Sequence, residues 1–328
     1  MNFLTKLWYS NFLLYKIISL GLFPLSLLWI FIDQLKFFLI KPYLSTLKII
    51  CIGNVNVGGT GKTPIAIFIF KTLKKMGYKP VFLTSGYKGK ISKPSIVKSN
   101  KLLFGDEALI LKTVGPTVIS KNRLEGVKFI ENLCLQKKNY NVIIMDDGLQ
   151  NYSIKKTLSF LTIDRNFLFG NGFCIPSGPL RQPFVSCKKN IDKIILTGNK
   201  SLKKKYRCFD YSVFNSYIKV NKNNAKNNYF AFSGIGNNLK FFQTLEDANF
   251  NIVKTKQFID HHIYKEDEIV NLIKTASDKK LKLITTEKDF VKIPEKYHSK
   301  INCIKMKIEF DKHDFIELQL LLKKKLNV

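Results

Sequence analysis

Residues 51–65 read CIGNVNVGGTGKTPI, and the segment 56–63 inside them, NVGGTGKT, departs at one position from a phosphate-binding loop. The usual pattern is Gly, four residues, then Gly-Lys-Ser/Thr. Its backbone N–H groups cradle phosphate oxygens, its Lys reaches the β- and γ-phosphates, and its hydroxyl binds Mg²⁺. Gly61, Lys62 and Thr63 stand in register, whereas Asn56 occupies the first glycine's place. Asn tolerates positive φ better than most residues, and Gly58 and Gly59 keep the next part of the turn small. A phosphate cradle is therefore sterically feasible. Upstream, 47–52 (LKIICI) suits a buried strand, and 64–73 reads as a helix with Pro64 near its first turn. Strand, loop and helix in that order aim a helix N-terminus at an anion.

The chain of 328 residues has room for about two domains. Its formal net charge of +30, from 54 Lys plus Arg against 24 Asp plus Glu, favours an anionic partner such as nucleic acid or an anionic bilayer. The excess is spread along a chain also rich in Asn and Ile, so charge alone does not choose between them. Six cysteines (51, 134, 174, 187, 208, 303) form no CxxC pair and no cluster with His. That argues against a zinc site or a disulfide framework and for a reduced compartment.

Residues 17–32 (IISLGLFPLSLLWIFI) carry no charge. The run is shorter than the roughly 20 residues a straight spanning helix needs, and Pro24 sits at its middle. Lys16 interrupts the apolar stretch and no small-residue cleavage site follows, which argues against a signal peptide. Trp8, Tyr9 and Trp29, flanked by lysines, read as interfacial anchors. The expectation is a segment lying on or embedded in a membrane, with the phosphate loop on the cytoplasmic side, against the alternative of an ordinary buried helical hairpin. Anchor and loop being separate stretches, removal of 1–38 should lower membrane affinity more than nucleotide binding.

After the anchor, apolar runs at 47–52, 79–85, 116–120, 141–147, 158–164 and 192–198 alternate with helical stretches, the rhythm of βαβ units. The expected class is α/β: a P-loop NTPase-like, mainly parallel sheet with helices on both faces, an N-terminal membrane-associated helical segment and a smaller C-terminal α/β lobe. Boundaries are placed at 1–40 for the anchor, 41–205 for the phosphate-loop core, 206–228 for a Lys/Asn-rich linker and 229–328 for the second lobe.

A phosphate loop needs a further carboxylate for the metal, and NVIIMDDGLQ (141–150) supplies Asp146 and Asp147 at the end of an apolar strand. Asp106 and Glu107 form a third acidic site, readable as a helix cap or as a base or metal ligand. His261 and His262 sit together in FIDHHIY, where a polar surface turn is the commoner meaning. Arg181 follows the rigid turn PSGP, suited either to clamping an anion or to an ordinary surface place.

Taken in order, these motifs resemble the tetraacyldisaccharide 4′-kinase family over nearly the whole chain. The resemblance rests on LFPLS (22–26), GNVNVGGTGKTP (53–64), SGYKG (85–89), FGDEALIL (104–111), VIIMDDGLQ (142–150), GNGFCIPSGPLRQP (170–183), FSGIGN (232–237), DHH (260–262) and TTEKDFVKI (285–293). A small polar residue at the position of Asn56 is a trait of that family. The resemblance implies transfer of the γ-phosphoryl group of ATP, with Mg²⁺, to the 4′-hydroxyl of a tetraacyldisaccharide 1-phosphate at the cytoplasmic face of the inner membrane. The lipid and the anionic inner leaflet are then the partners, with no nucleic acid expected and no protein partner evident. It further implies ATP contacts from Asn56, Val57, Gly58, Gly59, Thr60, Gly61, Lys62 and Thr63, and metal contacts from Thr63, Asp146 and Asp147. The catalytic groups it implies are Lys62 and a dyad of Asp106 with His261. Two positions depart from the family's pattern: Ser85 stands where Arg is usual, and Asn151 where His is usual. One rival is a nucleic-acid-binding protein, suggested by the charge of +30 but without a recognisable binding module or basic aromatic stripe; the other is an ATPase or GTPase of the partitioning or metallochaperone type. Such ATPases commonly carry a second Lys where this chain has Val57, and no NKxD guanine reader is evident.

Overall fold

Ile49, Ile50 and Ile52 have no solvent-exposed surface, so the strand after the apolar segment is covered on both sides. A computed structural model of the chain describes residues 3–58, 61–86, 89–98, 101–198, 213–220, 227–236, 238–260 and 262–326. The strands are β1 (Lys48–Gly53), β2 (Pro80–Thr84), β3 (Ser95–Ile96), β4 (Thr117–Ile119), β5 (Val142–Asp146), β6 (Leu158–Asp164), β7 (Lys193–Thr197), β8 (Val213–Val220), β9 (Asn228–Ser233), β10 (Asn251–Gln257), β11 (Lys282–Thr286), β12 (Ile301–Ile304) and β13 (Met306–Phe310). Seven of the helices are labelled α1 (Phe3–Tyr9), α2 (Leu13–Gly21), α3 (Phe23–Leu39), α4 (Lys62–Lys75), α5 (Lys101–Phe104), α6 (Asp106–Lys112) and α7 (Arg123–Leu135).

The larger sheet runs β13-β8-β7-β6-β1-β5-β2-β4-β3. It is parallel from β8 through β4, with β13 and β3 antiparallel at its edges. Successive side chains of a strand point to opposite faces. Accordingly Ile50 and Ile52 pack with Ile65, Ile69 and Phe70 of α4, while Ile49 packs with Val127 and Ile130 of α7. Helices on both faces make these strands near-continuous apolar runs, the usual signature of a buried parallel sheet. The smaller sheet, β10-β9-β11-β12, is parallel throughout.

Two boundaries differ from those expected. The region 206–228, read as linker, contains β8, which pairs with β7 inside the larger sheet. Residues from Met306 onward, read as part of the second lobe, return to the first: β13 pairs with β8, and Leu318 and Leu322 of the last helix (Lys312–Leu326) lie in one core with Ile65 of α4. In β8 buried and half-buried positions alternate, with Phe214 and Ser216 turned inward. Three buried residues, one of them polar (Phe214, Ser216 and Val220), in a Lys/Asn-rich stretch give too weak a period to read.

Among the described residues no single helix is long and apolar enough to cross a membrane, although α2 and α3 together, bent by 51°, pass by length and composition. Their inner face is polar and bonded. Ser19 Oγ donates to the Ser177 carbonyl at 2.6 Å, Ser26 Oγ to the Cys174 carbonyl at 2.8 Å, and Asn171 Nδ2 to Ser19 Oγ at 2.9 Å. The indoles, expected to sit in the interface, spend their N–H groups on the protein: Trp8 on the Pro176 carbonyl at 3.0 Å and Trp29 on the Arg181 carbonyl at 2.6 Å. The apolar helices are thus bonded into the fold and are not a detachable tail. Deleting residues 1–38 should lower Tm by about 5 °C or more, because each buried polar group left unpaired costs about 1–3 kcal/mol. Thermal unfolding followed by circular dichroism checks this; an unchanged Tm would show that the 171–182 turn stands by itself.

Candidate functional site

The loop after β1 folds as it does because of what lies beneath it. At Gly53 an added Cβ would stand 2.5 Å from Leu149 Cβ, so only glycine lets the strand exit so close to the β5 turn. Val57 N–H then donates to the Pro179 carbonyl at 2.7 Å, and Arg181 N–H to the Val55 carbonyl at 2.6 Å. Asn56 pairs with Leu180 as an isolated antiparallel bridge and is not among the positive-φ residues. Its role is therefore not the one expected from Asn's tolerance of positive φ: its amide donates to the Leu168 carbonyl at 2.7 Å, stitching the loop to its neighbour. Positive φ falls instead at Gly58 (113°) and Gly61 (84°). Gly59 and Thr60 lie outside the described residues.

Helix α4 starts at Lys62 with no side chain capping it, which leaves its first N–H groups open to an anion. Lys62 Nζ donates to Asn54 Oδ1 at 3.1 Å and lies 3.6 Å from Asp147 Oδ2, so its ammonium is held over the loop. One residue on, Thr63 Oγ1 donates to Asp146 Oδ2 at 3.0 Å. Asp146 Oδ1 is buried and has no hydrogen-bond partner among the described residues. A hydroxyl beside a carboxylate with unused lone pairs is the donor set a hard divalent cation takes, so these residues fit Mg²⁺. Burial, reinforced by the charge of Glu107 and opposed by Lys62, pushes the Asp146 carboxyl up to about 7.

Asp147, at φ 57°, turns the other way. Arg181 Nη1 lies 3.1 Å from both of its oxygens. Burial would raise this carboxyl, but Lys62 and Arg181 outweigh it and hold it below the ordinary range. The backbone of the pair is fixed from below by buried Arg123, which donates to the carbonyls of Ser120 (2.8 Å), Asp146 (3.1 Å) and Asp147 (3.3 Å). The two neighbours therefore differ: among the described residues Asp146 keeps a free oxygen, whereas Asp147 is balanced by two cations.

Across the cleft, Gly105 at φ 76° turns the chain into α6, whose first residue is Asp106. Asp106 Oδ2 meets Lys292 Nζ at 3.2 Å, and Glu107 Oε1 meets Lys288 Nζ at 2.7 Å. Both lysines follow β11 of the smaller sheet. Burial would raise the Glu107 carboxyl, yet Lys288 and Lys62 hold it below the ordinary range. Burial would lower Lys288, but Glu107, Asp146 and Asp260 together raise it. Asp260, the first residue of DHH, thus adds its charge to the field at this interlobe pair. His261 lies outside the described residues. His262 Nε2 shares a hydrogen bond with Glu268 Oε2 at 2.8 Å, and its ring stacks on Phe258 with centroids 4.6 Å apart.

Lys62, Thr63, Asp146 and Asp147 are thus brought together, with Asp106 on the next helix edge. Sequence reasoning left Arg181 undecided and passed over Arg123, Lys288 and Lys292. The last two stand four apart in TTEKDFVKI, a spacing that shares one face of a helical turn and was available as a signal. Of the two departures from the family's pattern, Asn151 accepts from Ser153 Oγ through its side chain and from Lys156 through its carbonyl. Ser85 is described, but Tyr87 and Lys88 beside it are not.

Similarity to known proteins covers the same ground. The family model described as "Tetraacyldisaccharide-1-P 4'-kinase" matches residues 18–326. Proteins named tetraacyldisaccharide 4′-kinase are 35% identical over 93% of this chain and 94% of their own length in Rickettsia bellii, and 36% identical over 97% and 99% in Rickettsia typhi. A crystal structure of LpxK from Aquifex aeolicus, described as a complex with ATP, superposes with a TM-score of 0.77 at 22% identity over 94% of this chain and 99% of that one. At that identity the superposition speaks for the fold, and it agrees with the P-loop-like α/β architecture. With the match extending from the apolar helices to the last helix, the chain belongs to the tetraacyldisaccharide-1-phosphate 4′-kinase family.

Proposed function

We propose that this protein transfers the γ-phosphoryl group of ATP to the 4′-hydroxyl of tetraacyldisaccharide 1-phosphate, a lipid A precursor. The observation that carries the chemistry is the 3.0 Å contact between Thr63 and Asp146, whose other oxygen has no partner among the described residues, one residue from Lys62. The open start of α4 and Lys62 take the phosphates, while Thr63 and Asp146 hold the metal. Mg²⁺, when bound there, neutralises charge on the phosphate oxygens. Arg181 and Lys62 keep Asp147 charged but balanced, so the second carboxylate does not repel the nucleotide. As the bond from the 4′-oxygen to γ-phosphorus forms and the bond to the β-phosphate oxygen breaks, Asp106 accepts the hydroxyl proton, with His261 as its proposed partner.

The lipid's acyl chains call for an apolar surface. Leu13, Ile17, Leu20, Leu28 and Phe38 stand exposed on α2 and α3, and Leu25, Trp29, Ile32, Ile175 and Pro176 are among the residues lining a groove of about 230 Å³. These support the reading that α2 and α3 lie in a membrane, at the cytoplasmic face of the inner membrane where this substrate class is met.

Three outcomes test this reading. With ATP and the lipid acceptor, thin-layer chromatography should show phosphate on the lipid, and Lys62→Ala, Thr63→Ala and Asp146→Ala should each lose about 10²-fold or more in kcat/KM. Hydrolysis of ATP regardless of acceptor, or near-normal turnover in two of the three variants, would overturn it.

The second outcome concerns pH in the absence of nucleotide and metal. A carboxyl raised in the folded state contributes stability that is fully present below its unfolded value, about 3.9, and lost as pH rises through about 7. Asp146→Asn removes that loss, so its Tm should exceed the parent's at pH 8, with the gain shrinking toward pH 4. A Tm difference independent of pH would sink the assignment of a buried, proton-holding Asp146.

The third outcome separates membrane seating from folding. Ile17→Asn/Leu20→Asn/Leu28→Asn changes only outward-facing residues, so it should keep Tm while losing sedimentation with phospholipid vesicles in high salt. Retained sedimentation would show that these helices are not the membrane contact.

A further inference from the structure

Lys292 stands between the two lobes, and its surroundings are more constrained than a clasp requires. Its side chain is only 9% exposed, and its ammonium lies 3.2 Å from Asp106 Oδ2, 3.1 Å from Asp289 Oδ1 and 3.5 Å from the Gly234 carbonyl. Asp289 has no exposed surface. Its Oδ2 accepts from Gly234 N–H at 3.0 Å and from Thr286 Oγ1 at 2.8 Å, and its own N–H donates back to Thr286 Oγ1 at 3.1 Å. One carboxylate oxygen is thus consumed by the ends of β9 and β11, which leaves the other to aim the lysine. The chain of contacts runs from the backbone of the smaller sheet through Asp289 and Lys292 to Asp106 at the start of α6.

A buried carboxylate needs a cation, and Lys292 would answer that need anywhere beside Asp289. Its position in contact with Asp106 as well is not explained by that need. The neighbouring pair, Lys288 with Glu107, already bridges the same two segments. We propose that Lys292 is a positioning residue for phosphoryl transfer: held by Asp289, it grips one oxygen of Asp106 and fixes the plane of that carboxylate relative to the acceptor hydroxyl. The proposal rests on the reading of Asp106 as the proton acceptor. A base that is free to rotate must be reoriented before each transfer, and misplacement on the scale of an ångström carries large penalties in rate. The smaller lobe would thereby contribute to the chemistry without touching the reacting atoms.

The experiment compares Lys292→Met, Lys292→Arg, Asp106→Asn and Asp106→Asn/Lys292→Met in the full-length protein, reading kcat, KM for MgATP and Tm. Lys292→Met should lower kcat by about 10-fold to 10²-fold, less than the roughly 10² to 10⁴ that the acid–base group itself contributes, and leave KM for MgATP within about threefold. Lys292→Arg should restore most of the loss, since a guanidinium can bridge the same two carboxylates. Groups acting as one unit are non-additive, so on the Asp106→Asn background the lysine change should cost less than about twofold more. Should Lys292→Met unfold because Asp289 is left as an unpaired buried charge, Lys292→Met/Asp289→Asn removes that charge and the same losses are read there. Multiplying losses, a normal kcat in Lys292→Met, or equal loss in the Arg and Met variants would overturn the positioning role. A fully active Asp106→Asn would instead sink the reading of Asp106 as base, whereas an impaired Asp106→Asn beside a normal Lys292→Met sinks the lysine alone.

Discussion

Parallel pairing of β1 with β5 sets Ile52 level with Asp146, and nearly everything at the site depends on that register. In neighbouring parallel strands both chains leave the sheet at the same edge, so the loop entering α4 and the turn carrying the acid pair emerge side by side. A slip of one residue would turn every buried isoleucine of β1 to the opposite face. The core on both sides of the sheet thus enforces the 3.0 Å separation of Thr63 and Asp146 as firmly as any contact in the site itself. Packing supplies the precision, and the polar groups inherit it. Arg123 adds a second constraint from beneath, since its buried guanidinium ties the two carbonyls of the acid pair to the loop before α7.

The parts legible in the sequence are those whose physics is local. A run such as LKIICI announces a buried strand, and Gly-Lys-Thr in register announces the start of α4. Asp146 and Asp147 could be read because a strand-ending acid beside a phosphate loop has a short list of uses. The length of β8, the return of Met306–Phe310 to the first sheet and the partners of Arg181 were not legible, because each is decided by residues well outside the local stretch: β8 pairs with β7 and β13, and Arg181 reaches back to Asp147. Asn56 shows a subtler limit. The residue works through its side-chain amide and a backbone bridge, and a local rule about φ had no access to Leu168 or Leu180.

The turn at 171–182 joins two chemistries that the sequence keeps far apart. Its outer side receives Ser19, Ser26 and the indoles of Trp8 and Trp29, and its end carries Arg181 to Asp147. The surface suited to acyl chains and the electrostatic balance of the acid pair therefore share one short stretch of backbone. Substitutions that make α2 and α3 more soluble can be tolerated on the outward face only, where no polar partner is lost.

The course of the chain also constrains how the protein is made. The smaller sheet, formed by residues between Asn228 and Ile304, is an insertion between two neighbouring strands of the larger one. The larger sheet has its first strand at Lys48 but receives β13 and the helix Lys312–Leu326 only after the whole of the inserted stretch has been made. On the ribosome, the phosphate loop and acid pair are synthesised long before the apolar face of α4 can be covered by Leu318 and Leu322. The inserted sheet, whose pairings lie wholly within its own stretch, is free to close first, and the earlier domain completes last. Such non-local closure slows folding and prolongs the exposure of apolar surface in the nascent chain. A chain that stops short of its last helix would leave that surface uncovered on the very element that begins with Lys62.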